Sequence, residues 1–203
     1  METSAELGRK VEVPPRERIL NAARELFYSR GIRAVSVDEI AAAAQTNKMT
    51  LYRHFESKDR LVAEYLRSLN AYAIVRDEET IRPYAGDPYA QLRALVARHG
   101  EDLCKADLRG CPVANAAVEF PEKDHPARAV IEECKNQQRD RIVKLCREAG
   151  YAEPEQLAEQ LFLLFDGACV NVQSLGRCGP GSRFTEMAYA LMASHPRRTE
   201  QKN

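Results

Sequence analysis

Apolar side chains recur along this chain at three- and four-residue steps, the period of a helix with one buried face, and no segment shows the alternation of a strand. Ile19, Ala22, Ala23, Leu26 and Phe27 form the first stripe, which Pro14-Pro15 opens and Gly31 stops. Ser36 with Glu39 three residues on is a capping-box pair, so a second helix is expected to begin at Val37 and to bury Val37, Ile40, Ala41 and Ala44. Gln45, Thr46 and Asn47 interrupt that face, and the Asn47 side chain can cap a short third helix over about residues 48–54. In this third helix Lys48, Thr50, Tyr52, Arg53 and His54 crowd the polar side, and only Leu51 and Phe55 are destined for the core.

The stripes continue. Ser57 can cap a fourth helix carrying Leu61, Val62, Tyr65, Leu66, Leu69 and Tyr72 to about Arg76, and the prolines and glycine of RPYAGDP (82–88) predict a loop after it. Further helices are expected over about 89–105, 112–120, 127–149, 155–175 and 184–192. The stretch 155–175 is apolar over so much of its circumference that it needs cover on two sides, one from its own core and one open to a second copy of the chain. GRCGPG (176–181) lacks a preceding strand and a Lys-Ser/Thr pair, so it is a turn rather than a phosphate loop. The fold class is all-α, with roughly nine helices. The domain plan is a disordered start over 1–13, a first domain over 14–60, a larger helical one over 61–195 and a disordered tail over 196–203.

Composition narrows the class. Of 203 residues, 44% are hydrophobic and 30% charged, the balance of a globular chain with a sizeable core. The start has no secretory signal and no apolar run is long enough for a membrane span, so a cytoplasmic location is expected. Net charge is zero, yet residues 9–60 hold 11 Lys and Arg against 7 Asp and Glu, and the remainder is correspondingly acidic. A basic end on an acidic body fits phosphate binding confined to one region. The six cysteines form no CxxC pair and no zinc-ligand spacing, so no metal or cofactor is expected. They read as small buried hydrophobes; the functional alternative is a thiol switch at Cys104, Cys111 or Cys134. An all-α enzyme pairing Cys104 with His99 is disfavoured, because five residues do not put both on one helical face.

The segment TLYRHFESKDRL (50–61), with SVDEIA and ILNAARELF at the right distances before it, resembles the tetracycline-repressor (TetR) family of transcriptional regulators over residues 16 to about 66. RGCPVANAAVEF, HPAR and LLFDGA are similar to segments of a subset of that family. The resemblance implies a homodimer with two N-terminal helix-turn-helix units and a helical domain that binds a small effector, and the reading that follows is a repressor of an inverted-repeat DNA operator whose mostly apolar candidate pocket suits a hydrophobic effector. Carried onto this chain, it puts Lys48, Met49 and Thr50 at the bases and Tyr52, His54 and Lys58 at phosphates, with Ser36, Val37, Asn47 and Arg53 completing the DNA-binding set. Candidate effector-pocket residues are Tyr72, His99, Cys111, Asn115, Phe120, Phe162, Phe165 and Asp166. The dimer interface is expected at Leu157, Leu161, Leu164, Ala168, Val172 and Leu175, joined by Phe184, Ala188 and Leu191. Three positions depart from the family pattern: Gln45 stands where the turn usually has glycine, Thr46 where it has a small apolar residue, and Met49 where glycine is common. Gln45 is expected to be strained, and Met49 either meets a thymine methyl or packs on the protein.

Overall fold

The structure, a computed structural model, describes residues 13–105, 109–176 and 178–198. Among these the chain is all-helical: α1 (Pro15–Arg30), α2 (Val37–Ala43), α3 (Lys48–Phe55), α4 (Lys58–Ile81), α5 (Pro88–Leu103), α6 (Pro112–Glu119), α7 (Pro126–Glu148), α8 (Pro154–Leu175) and α9 (Phe184–Ser194), with 3₁₀ turns at Arg82–Tyr84 and Pro180–Arg183. It divides into two compact units after Leu61. Five of the nine helices carry proline in the first turn, where the missing N–H costs nothing.

In the first unit the α1 stripe buries Ile19, Ala22, Ala23 and Phe27, and Ile40, Ala41, Leu51 and Phe55 of α2 and α3 complete the core. The Arg16 guanidinium lies 5.2 Å from the centre of the Phe55 ring and ties α1 to α3. Val37, expected in this core, is only half-buried.

The fourth helix runs five residues past its expected end at Arg76. No breaker stands before Pro83, and Asp77, which the apolar pattern does not count, is held by ion pairs to Arg98 and Arg141. The second unit packs α5, α7, α8 and α9 around Leu92, Leu95, Val96, Leu103, Leu157, Leu161, Phe184 and Met192. Gly100 lets α9 close on α5, since a Cβ there would collide with the Thr185 hydroxyl.

Residues 1–12 and 199–203, expected to be disordered, lie outside the described residues. Residues 196–198, part of the same expectation, are anchored: Ala152 N–H donates to Pro196 O at 2.9 Å and Arg198 N–H to Gly150 O at 2.7 Å. The Arg197 guanidinium sits 4.2 Å from the Tyr89 ring centre, and these contacts order the segment.

Candidate nucleic-acid interface

Local bonds shape the stretch from Ser36 to Lys58. Ser36 Oγ accepts from the Glu39 N–H at 3.2 Å while Glu39 Oε2 accepts from the Ser36 N–H at 2.7 Å, and Arg30 Nη1 stands 2.7 Å from Glu39 Oε1. The bond from the Ser36 backbone, then that from its hydroxyl and the Arg30 guanidinium, hold the Glu39 carboxyl down to about 2. At the other end of α2 the Gln45 N–H donates to Ala42 O at 3.0 Å and the Thr46 N–H to Ala41 O at 2.9 Å, the paired bonds of a Schellman turn. That turn needs a left-handed residue where Gln45 stands, and Gln45 has φ 51°. Asn47 Oδ1 then accepts from the Thr50 N–H at 2.9 Å and starts α3.

With Leu51 and Phe55 sunk in the core, α3 turns its other side to solvent. Lys48 and Arg53 are exposed, Tyr52 is 40% exposed, Thr50 is half-buried, and Met49 is 84% exposed. Met49 therefore does not pack on the protein, which removes one of its two readings. Lys48 Nζ lies 3.3 Å from Asp38 Oδ2 with both side chains in water, a pair weak enough to be exchanged for a phosphate.

Three expectations at phosphates change. Lys58 is part-buried and its Nζ donates to Ile32 O at 2.7 Å, so it also ties down the loop after α1. His54 Nε2 is buried with no hydrogen-bond partner among the described residues, so that nitrogen does not face solvent. At the start of α2, whose backbone N–H groups are also expected to receive a phosphate, the Ser36 N–H is taken by Glu39 Oε2 and the Glu39 N–H by Ser36 Oγ. Sequence reasoning missed Arg30 and Asp38 as partners of Glu39 and Lys48, because both pairs span different helices rather than one helical face.

The expected effector residues do not form one cavity wall. His99 stacks on Phe165 with ring centres 4.6 Å apart, and its Nε2 is 3.7 Å from Asp77 Oδ1. Burial pushes the Asp77 carboxyl up, but the hydrogen bond and charge of His99, with Arg141 and Arg98, outweigh it and hold the group below its ordinary value. Asp166 is bonded by Lys135 at 2.7 and 2.8 Å, and that ammonium lies 4.9 Å from the Phe162 ring centre. Asn115 Nδ2 donates to Arg109 O, Cys111 is half-buried against the core, and Phe120 is buried and stacked on His125. Tyr72 is 61% exposed, the wrong place for an interior pocket. Two surface hollows open elsewhere on this unit: one of about 370 Å³ beside Tyr84, Tyr89, Arg93 and Tyr189, the other beside Asp87, Glu148, Arg197 and Arg198. None of the eight expected residues lines either.

The dimer expectation needs a similar correction. Leu157, Leu161, Ala168, Val172, Phe184 and Ala188 are buried inside the second unit, Leu164 and Leu191 are partly covered by it, and only Leu175 is exposed. The α8 stripe faces α5, α7 and α9 of its own chain. The large apolar side chains that α8 leaves in water are Leu163, Val170 and Leu175. Burial pushes the thiols of Cys134, Cys146 and Cys169 up to about 11, 12 and 12, away from the reactive thiolate, while Cys104 and Cys178 are exposed. Among the described residues there is no metal-ligating cluster, and no helix is long and apolar enough to cross a membrane.

Two short helices joined by a tight turn over an apolar floor, the second presenting cationic and amphipathic side chains, define a helix-turn-helix unit. Residues 19–65, the helix-turn-helix segment, match the sequence profile of bacterial regulatory proteins, tetR family. It is 35% identical over 103 residues to an HTH-type transcriptional repressor of Mycobacterium tuberculosis, covering 51% of this chain and 52% of that protein. It is also 42% identical over 102 residues to the HTH-type transcriptional repressor KstR2 of Rhodococcus jostii, covering 50% and 47%. The chain thus spans about half the length of the curated relatives it matches. Among solved structures, a TetR-family transcriptional regulator of Streptomyces coelicolor aligns with 88% of this chain and 93% of its own, at 27% identity and a TM-score of 0.76.

Proposed function

We propose that this protein is a homodimeric, ligand-responsive transcriptional repressor that binds an inverted-repeat operator in the major groove and is released by a small hydrophobic effector. The observation that carries the reading is the outward side of α3, where Lys48, Met49, Tyr52 and Arg53 project from a helix anchored by Leu51 and Phe55. Lys48 and Thr50 supply donors for base edges, Met49 supplies an apolar surface for a thymine methyl, and Tyr52 and Arg53 supply donors for phosphates. A second copy would place its own α3 about one helical turn or more along the duplex. The exposed Leu163 and Val170, seven residues apart on α8 with Gly167 between them, support a helix-to-helix contact between copies. An effector would lie in the second unit, where His99 stacks on Phe165 and Lys135 stands between the Phe162 ring and Asp166.

Selection from a random duplex pool tests the reading. An inverted repeat should be enriched, Lys48→Ala should weaken binding to it about tenfold or more, and Met49→Ala should relax preference at one base position per half-site. If no sequence is enriched, or if Met49→Ala leaves every base preference unchanged, the assigned readout is wrong.

A further inference from the structure

The 370 Å³ groove on the second unit is made by residues far apart in sequence and has no part in the DNA-reading surface. Tyr84 follows α4, Tyr89 and Arg93 stand on the first turns of α5, and Tyr189 comes from α9, its hydroxyl donating to Arg93 O at 3.1 Å. That bond pins α9 to α5 at the groove. Ala94 and Ala97 contribute methyl groups only, which leaves room for a flat molecule.

The charge of the groove is positive. The Arg93 guanidinium lies with its carbon 3.9 Å from the Tyr189 ring centre and 5.9 Å from that of Tyr89. No carboxylate lines the groove, and none among the described residues is within ion-pairing distance of Arg93. The Tyr189 ring covers part of the Arg93 guanidinium, and N–H groups turned away from the ring would match the two oxygens of a carboxylate. A cationic ligand, which three phenol rings would otherwise suit, is repelled by the same group.

We propose that this groove binds a small aromatic carboxylate, with the acid group on the N–H edge of Arg93 and the ring between the tyrosines over Ala94 and Ala97. The site is separate from the effector reading, because it predicts binding whether or not the bound acid alters operator affinity. Titration calorimetry of the full chain with benzoate tests it, with cyclohexanecarboxylate and benzyl alcohol as partial mimics and inorganic phosphate as an anion without a ring. Benzoate should saturate at roughly millimolar concentration or below. Each mimic should bind about tenfold more weakly, and Arg93→Gln and the groove-filling Ala94→Phe should each lose about tenfold or more in benzoate affinity. Chemical-shift changes on benzoate addition should centre on Tyr84, Tyr89 and Tyr189. Benzoate binding that survives both variants, shift changes elsewhere, or equal affinity for cyclohexanecarboxylate or phosphate would overturn the assignment. A chain that binds benzoate in this way but enriches no operator sequence would count against the repressor reading and leave the groove intact.

Discussion

Gln45 shows how much one residue reveals when the same motif occurs twice in one chain. The end of α7 repeats the Schellman turn of α2: the Gly150 N–H donates to Arg147 O at 3.1 Å and the Tyr151 N–H to Cys146 O at 3.2 Å. There the left-handed position is Gly150, with φ 79°, which has no Cβ to strain; at α2 it is Gln45. Gln45→Gly should therefore raise stability by about 0.5–1 kcal/mol, strain relief of about 1–2 kcal/mol being partly offset by the greater freedom of glycine in the unfolded chain. Urea denaturation midpoints measure it, and a drop in stability would show that Gln45 carries no strain. The sequence signals this position because a turn is required just where no glycine stands. It does not signal Lys58, whose link to Ile32 O joins residues 26 apart that no local spacing relates.

Helix α2 has only seven residues, too few to persist without its ends secured. Its capping box depends on an ionised Glu39, whose carboxyl is depressed from an ordinary 4.5 to about 2. A depressed carboxylate stabilises the folded state fully above about pH 4.5 and loses that contribution as pH falls through 2. Glu39→Gln should thus lower the denaturation midpoint at pH 7 and lower it less at pH 3; an equal penalty at both values would show that the charge is irrelevant. Capping boxes and stripes were legible because they are local in sequence. The covering of α8 was not, since a helix apolar around most of its girth looks the same whether its neighbours come from its own chain or another. Tyr189 carries no local signal for a related reason: its partner Arg93 is 96 positions away.

At the scale of the whole molecule, corrected burial moves the dimer prediction. Replacing Leu157 or Val172 by a charged residue would unfold the second unit and report nothing about association. Leu163→Asp with Val170→Asp instead acts on side chains that are 70% and 57% exposed, so the fold should persist while sedimentation shows monomers. A folded dimer in that double variant would place the interface elsewhere. All-α class and helix order were readable from period alone, and so was the polar side of α3 opposite Leu51 and Phe55; which of its residues are expected to face DNA came from the family resemblance. The grooves and exposed faces were not, because they are what remains after distant helices have packed. The division after Leu61 also bears on the order of events in synthesis. The first unit is closed by the Ser36–Glu39 cap, the Gln45 turn and the Arg16–Phe55 contact, all within residues that leave the ribosome before those of the second, which must wait for α9 to meet α5. Short loops close fast, so the nascent chain acquires its helix-turn-helix head while the segment that completes the larger unit is still being translated.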